Sequence, residues 1–291
     1  MTRRNWGLFF LSGLLWGIPY LFIKVAVDPT DGFSPATVVF GRVVIGALIL
    51  IPIAIKDRTI FDAIRGIKYV GIYALFEMIG PWILIGTAEQ SISSGMAGLL
   101  IATVPIWSTL LTAFHGDRSV WQRKRIIGIL VGFIGVFLVV GIESITGSSD
   151  PLAIGMVLLA SMGYSYAVIS VTRALPNVSG IAINGLAMVI TAIACLPLTL
   201  TQLPDHRVSL EAVGSVVALG IFSTGLAFAV FFAMLKEVGP VRASLVTYLN
   251  TSFAVVLGVI ILSEPLTAGI IFGLPLVLLG SYLASRKDAS I

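Results

Sequence analysis

Ala97-Gly98-Leu99-Leu100-Ile101-Ala102-Thr103-Val104-Pro105-Ile106-Trp107 is echoed later in the chain by Ala243-Ser244-Leu245-Val246-Thr247-Tyr248-Leu249-Asn250-Thr251-Ser252-Phe253. Each stretch opens an apolar segment after a short polar linker. Twelve or thirteen residues past the Pro105/Thr251 position comes an acidic turn, His115-Gly116-Asp117-Arg118 in one case and Leu262-Ser263-Glu264-Pro265 in the other. Each turn leads into a segment with two glycines seven apart, Gly128/Gly135 and Gly273/Gly280, and Trp16-Gly17 similarly aligns with Tyr164-Ser165. The order of features matches as well as their composition. The chain therefore reads as a duplication, residues 1–147 and 148–291.

Composition says in which solvent the duplicated unit folds. Of 291 residues 57% are hydrophobic and 11% charged, with mean hydropathy +1.05; a soluble domain carries about 25% charged residues. This is an integral membrane protein. A spanning helix needs about 20 apolar residues. Ten segments qualify, at 6–27, 36–55, 66–86, 94–114, 125–142, 152–172, 179–200, 211–235, 241–262 and 267–285. Segment 6–27 is too long for a signal-peptide core and lacks an Ala-x-Ala cleavage site, so it is kept as a span. The thirty glycines suit helices that pack backbone to backbone in lipid.

Charge gives the orientation. Fifteen of the eighteen Lys and Arg fall in the termini and the even-numbered loops, among them Arg123-Lys124-Arg125, whereas the odd-numbered loops carry only Arg207. The positive-inside rule then places both termini in the cytoplasm. Five spans per repeat is an odd number, so the second copy enters the membrane from the opposite side. Inverted repeats of this kind place a substrate site near the bilayer midplane, between the halves. The fold expected is all-α, ten transmembrane helices in two inverted five-helix repeats. The net charge of +4 is too segregated for a nucleic-acid surface, and the single Cys195 excludes a disulfide framework or a cysteine metal cluster. Neither metal nor cofactor is expected. HExxH, GxSxG and phosphate-cradling loops are absent, which argues against an enzyme. Intramembrane polar groups are few and share one depth, which favours one gated site over a continuous channel.

The polar residues inside the spans are the candidates for that site. Glu77 lies in Tyr73-Ala-Leu-Phe-Glu77-Met-Ile-Gly80-Pro81-Trp82, about 13 Å below the outer end of its span. Arg42 lies about 10 Å into the second span from the same side. Pairing is the cheapest way to keep both charges there. Two readings stand: a static Glu77–Arg42 pair that fixes spans two and three together, or a Glu77 that borders a cavity and takes a substrate ammonium group or a proton. Lys24, three residues from its span end, can snorkel to the interface. Pro19, Gly80 with Pro81, and Pro105 are helix interruptions, acting as hinges, as exposers of backbone groups, or as packing kinks. Trp16, Tyr20, Tyr73, Phe76, Trp107, Tyr164, Phe228 and Tyr248 lie at middle depths rather than in interfacial belts, and a wet cavity would give their polar tips partners. Asn250 and Asn184 are deep amides. Gly13-xxx-Gly17 and Gly128-xxx-Gly132 read as packing faces, and His115 and His206 as solvated helix ends.

With Trp16-Gly17, Arg42, the Ala-x-Leu-Leu…Pro105 element and Ser263-Glu264-Pro265-Leu266-Thr267, the chain resembles the drug/metabolite transporter superfamily, EamA type, over its full length. Two positions depart from the family pattern: Thr251 stands where the second half would repeat Pro105, and Asp117 where glutamate is usual. The resemblance implies a central cavity lined mainly by spans one, three, four, six, eight and nine, alternating access, and export of small metabolites such as amino acids. It ranks Asn250 above Asn184, because span nine borders that cavity. The expectation is a secondary transporter of a bacterial cytoplasmic membrane whose partners are lipid, a small-molecule substrate and protons. Ten helices suffice for a monomer, and a dimer is compatible. The alternative is a broad exporter of drugs or amphipathic cations with Glu77 as counter-ion.

Overall fold

The computed structural model describes residues 2–114, 116, 121–146, 150–239 and 243–285. Every regular element among them is helical. Nine helices are long and apolar enough to cross a membrane. They are α1 (Arg3–Ala26), α2 (Pro35–Lys56), α3 (Ile67–Ala88), α4 (Ser94–Phe114), α5 (Arg123–Ile142), α6 (Pro151–Ala174), α7 (Gly180–Thr201), α8 (Leu210–Val238) and α10 (Ala268–Ser285). The tenth apolar helix, α9 (Val246–Ile261), is shorter than the 241–262 span expected from sequence. It begins late because Ser244 and Leu245 form a turn. Large apolar side chains stay exposed on most of the helices, including Leu48, Phe137, Leu210 and Ile260. A soluble monomer rarely exposes an apolar patch beyond several hundred Å²; lipid is the solvent for this surface, and the chain is a multi-pass membrane protein.

Glycines set the helix contacts. Along α5 and α10 the backbones touch: a Cβ on Gly280 would lie 2.2 Å from the Gly132 nitrogen, and one on Gly128 would lie 2.3 Å from the Ala284 nitrogen. Gly13 and Gly17 admit Leu249 and Phe253 of α9 in the same way. Gly220 and Gly225 of α8 receive Ile45 and Ile49 of α2. Both glycine pairs singled out in the sequence are therefore packing faces. The contact map also has a regularity. Helix α5 packs on α10, α2 on α7 and α4 on α9, while α1 packs on α8 and α9 as α6 packs on α3 and α4. Exchanging each helix with the one five places along leaves these contacts unchanged. Helices α2 and α7 have equal length and carry an internal proline at the same place, Pro52 and Pro197. Helices α3 and α8 each contain a π-helical segment, Leu75–Ile79 and Leu219–Leu226.

The Ser263–Thr267 turn closes one end of the bundle. Ser263 takes a left-handed conformation, φ 54°, which ends α9 and reverses the chain. The Glu264 carboxylate then accepts from the Ser94 nitrogen (2.8 Å), the Ser94 hydroxyl (2.8 Å) and the Gly95 nitrogen (3.1 Å), so it caps α4. Thr267 caps α10 through the Ile270 nitrogen. Gly258 leaves room for the carboxylate, since a Cβ there would lie 2.3 Å from Glu264 Oε2. The corresponding first-half turn, with His115, Asp117 and Arg118, lies outside the described residues apart from Gly116. Other linkers meet at the Glu264 end, called distal below. The Ser209 nitrogen donates to Asp31 O, and a ring nitrogen of His206 lies 3.0 Å from Gly32 O. His206 is thus engaged with a linker rather than freely solvated.

Candidate functional site

Each proline singled out in the sequence marks a break. Helix α1 is interrupted at Ile18, just before Pro19. Helix α3 passes through its π-helical segment immediately before Gly80 and Pro81, with the Gly80 nitrogen reaching back to Leu75 O. That segment carries Glu77, and π-turns of this kind recur at functional sites. Helix α4 breaks at Ala102–Thr103, ahead of Pro105. Serines reach carbonyls at this break, since Ser281 donates to Ala102 O and Ser165 donates to Val104 O. Neighbouring serines thus satisfy this break, as the membrane interior requires.

Arg42 is 4% exposed, in the heart of the protein. Its guanidinium lies flat over the Trp82 ring, 3.8 Å from the centroid, and its Nε donates to Thr224 Oγ1 at 3.1 Å. Thr224 sits in the π-helical segment of α8, so the contact joins the two halves. The expected ion pair with Glu77 is not formed, because stacking and the threonine bond hold the guanidinium elsewhere. Glu77 is partly buried, and its Oε2 is enclosed without a partner. Tyr164 lies within electrostatic range of both Glu77 and Arg42, and Tyr20 within range of Arg42.

Around these charges the structure gathers some predicted side chains and leaves others out. Tyr73, Trp82 and Phe228 share one apolar cluster, with Trp16 and Tyr164 packed against it. Tyr164 also packs against the neighbouring cluster that holds Tyr20. Trp16 meets Phe228 edge-on at 5.7 Å and Phe231 at 4.5 Å. The Tyr73 hydroxyl donates to Asn184 Oδ1 at 3.1 Å, so Asn184, which the sequence ranked second, is the amide tied to this group. Asn250 is buried beside Thr251, which donates to its Oδ1, at the α1–α9 contact. Three residues stand apart. Phe76 is 38% exposed and packs on Tyr166. Trp107 lies edge-on to Phe133 of α5. The Tyr248 hydroxyl is 3.4 Å from the Ser285 hydroxyl, towards the opposite end of the bundle from Glu264.

Trp82 and Thr224 are site residues the sequence did not disclose, and Glu89 is an enclosed acid outside that group which it did not disclose either. A lone Trp or Thr in an apolar run carries no signal, and Glu89 reads as a loop residue three positions past the expected span 66–86. Lys24 is also placed differently from expectation. Rather than snorkelling, its ammonium donates to Glu89 O (2.5 Å) and Ile92 O (3.0 Å), the open carbonyl end of α3.

A buried polar group between glycine-packed, interrupted membrane helices is the architecture of a membrane transporter. The EamA-like transporter family model matches the chain twice, over residues 6–141 and 151–286. The chain belongs to that family, and its role is transport rather than catalysis. It is 26% identical over 287 residues to an uncharacterized transporter of Archaeoglobus fulgidus, covering 98% of this chain and 99% of that one. It is 23% identical to the uncharacterized inner membrane transporter YedA of Escherichia coli, with 97% and 92% covered. A chloroplastic WAT1-related protein of Arabidopsis thaliana is 22% identical, with 99% and 71% covered. One crystal structure superposes with a TM-score of 0.65 over 98% of each chain at 19% identity, a likeness of fold.

Proposed function

We propose that the protein is a secondary transporter working by alternating access, and that it exports a small zwitterion with an apolar side chain, most plausibly an amino acid. One observation carries the reading: Arg42 and Glu77 both lie in the interior without being spent on each other. An unpaired charge is expensive inside a membrane. A ligand bearing a carboxylate and an ammonium group would satisfy both. Arg42 would take the carboxylate through the guanidinium nitrogens not bonded to Thr224, Glu77 the ammonium, and Trp16, Tyr73, Tyr164 and Phe228 the apolar side chain. Losing one charged partner in such a desolvated site costs about 2–5 kcal/mol of binding.

The two halves, 1–147 and 148–291, are read as inverted repeats that rock about this site. The exchange-invariant helix contacts, the matched prolines and the twofold family match support that reading. Segregation of Lys and Arg supports cytoplasmic termini. That orientation and the printed name of the Escherichia coli relative support placement in a bacterial inner membrane. Protons are the proposed coupling partner, and a monomer contains the whole site.

The test is counterflow of a mixed radiolabelled amino-acid panel in proteoliposomes, with and without an inside-acid pH gradient. Exchange of some amino acids, lost in Arg42→Ala and Glu77→Gln, is the expected result. Exchange of organic cations alone, with only Glu77 required, would overturn the zwitterion reading in favour of a cation exporter.

A further inference from the structure

Glu89 is the most completely buried acid among the described residues. It follows the last turn of α3, its residue exposure is 0%, and both carboxylate oxygens are enclosed without a hydrogen-bond partner. Lys24, the cation in contact with this residue, does not serve the carboxylate, because it spends its ammonium on the backbone carbonyls of Glu89 and Ile92. The groups that face Glu89 come from three elements. They are Tyr20 and Lys24 of α1, Arg42 of α2, and Glu264 of the turn between α9 and α10. Arg42 is held by Trp82 and Thr224, and Glu264 by the start of α4.

The surroundings of Glu89 lead outward. A cavity of about 250 Å³ at the distal end is lined by Lys24, Asp28, Asp31, Ser209 and Glu211. A second, of about 180 Å³, is lined by Asp28, Gly32, Ser34, Gln90 and His206. Glu89 lines neither, yet Lys24, which touches its carbonyl, lines the first, and its chain neighbour Gln90 lines the second. Asp28 lines both cavities, and linker contacts close this end, including the bond from Gln90 Nε2 to Val27 O. Parting of these linkers would join the cavities and wet Glu89.

We propose that Glu89 is a proton-binding site of the transporter, holding one proton while the distal end is closed and exchanging it with the distal compartment when that end opens. An ionised carboxylate cannot remain enclosed with neither oxygen paired, because its desolvation is uncompensated. Burial pushes the Glu89 carboxyl well above the usual carboxylate range, against the opposing pull of Lys24 and Arg42. Opening reverses this: water solvates the carboxylate, the Lys24 ammonium can turn onto it, and the proton leaves to bulk. Closure then requires the acid to take a proton back from the distal compartment, so the rate of closing follows the pH on that side. No covalent bond changes apart from the O–H bond of the carboxyl. The acidic lining of the first cavity, Asp28, Asp31 and Glu211 against Lys24, favours passage of a cation such as the hydronium ion.

The first test needs no substrate. Infrared spectra of the purified full-length protein at neutral pH report the carbonyl band of a protonated carboxylic acid. In the Glu77→Gln variant, which removes the other carboxyl with an enclosed, unpartnered oxygen among the described residues, the band is expected to persist. In Glu77→Gln/Glu89→Gln it is expected to be lost. Absence of the band from Glu77→Gln, or its survival in the double variant, would overturn the proposal. Loss of the band in sodium chloride but not in choline chloride would overturn it in favour of a sodium site. Glutamine is the neutral isostere of the protonated acid, so Glu89→Gln is expected to fold. A failure to fold would show that the charge is needed and would equally defeat the proposal. The second test rests on the transporter reading above. Glu89→Gln is expected to keep amino-acid counterflow at equal pH and to lose its acceleration by a pH gradient. Acceleration undiminished in Glu89→Gln would defeat the coupling role. Wild-type protein that exchanges no panel member would count against the substrate, while the infrared result would still decide Glu89.

Discussion

Replacing Glu264 by alanine tests a charge that closes one end of the bundle. Its carboxylate accepts three hydrogen bonds, two from the backbone nitrogens that open α4 and one from the Ser94 hydroxyl. Hydrogen bonds to a charged group contribute about 1.5–3 kcal/mol each, but the three share one acceptor and do not sum. The Ser94 hydroxyl can find another partner. The two first-turn nitrogens cannot, and loss of an N-cap typically costs about 0.5–2 kcal/mol. Adding the penalty of about 1–3 kcal/mol for an enclosed donor left unpaired, we expect Glu264→Ala to destabilise by about 3–4 kcal/mol. At about 2–4 °C per kcal/mol, the midpoint of thermal unfolding in detergent falls by roughly 6–16 °C. Gly258→Ala, whose new methyl would collide with Glu264 Oε2, is expected to approach the same value. Glu211→Ala on the exposed first turn of α8 stays within about 0.5 kcal/mol of wild type. Ser94→Ala alone costs about 1 kcal/mol and adds little in the Glu264→Ala background. A Glu264→Ala midpoint indistinguishable from wild type, or strict additivity of the two changes, would refute the cap.

Arg42→Lys keeps the charge but loses the planar stack on Trp82 and the Nε bond to Thr224, and the two cations are not interchangeable at such a site. It is expected to abolish counterflow while the protein still purifies as a monodisperse species. Because Arg42 and Glu77 do not pair, the stability effects of Arg42→Ala and Glu77→Gln should add to within about 0.5 kcal/mol; a coupling well above that in a thermal double-mutant cycle would restore the pair. Gly280→Ala would force apart the α5 and α10 backbones and is expected to abolish folded expression. Gly141→Ala, where a Cβ meets nothing within 4 Å, is neutral or stabilising by up to about 1 kcal/mol in the same expression and melting assay.

The membrane class, the span positions and the glycine packing faces were legible because each rests on a periodic or compositional signal that survives any tertiary arrangement. Pro19, Pro81 and Pro105 were legible as break sites for the same local reason, since a missing N–H weakens a helix locally, although Pro52 and Pro197 sit inside continuous helices. The π-helical segment of α8 was not, because no proline marks it and Gly220 and Gly225 read as ordinary packing glycines. Depth along a helix was also readable, and it placed Arg42 and Glu77 at similar levels. Depth fixes one coordinate out of three, however, and the rotation of each helix decides partners. Rotation sends Arg42 to Trp82 and Thr224, turns Phe76 outward, and ties Tyr73 to Asn184. Glu89 illustrates the limit most clearly. Its burial comes from linkers that fold over a helix end, and no pattern within α3 encodes that.

The symmetry of the packing and the asymmetry of the chemistry belong to one design. Pro52 and Pro197, at equal positions in α2 and α7, are 145 residues apart. The same offset carries Arg42 to Ala187, Glu77 to Phe222 and Glu89 to Met234. Arg42, Glu77 and Glu89 thus meet apolar counterparts in the second half. A duplicated bundle whose halves were equally charged would set like charges facing each other across the exchange-related contacts, at a cost the membrane interior magnifies. Keeping the charges in one half leaves the other free to supply neutral partners and walls. Thr224 and Asn184 bond Arg42 and Tyr73 from α8 and α7, and Phe228 closes on Trp16. On the alternating-access reading proposed above, movement of the second half changes the surroundings of Arg42, Glu77 and Glu89 without having to carry a charge of its own through the core. That division predicts an asymmetry in mutagenesis. Placing a carboxylate at Phe222, the counterpart of Glu77, should damage transport more than placing one at Ala229, which lies one helical turn or more further along α8. If Phe222→Glu and Ala229→Glu were tolerated equally in counterflow, the confinement of charge to one half would have no functional weight.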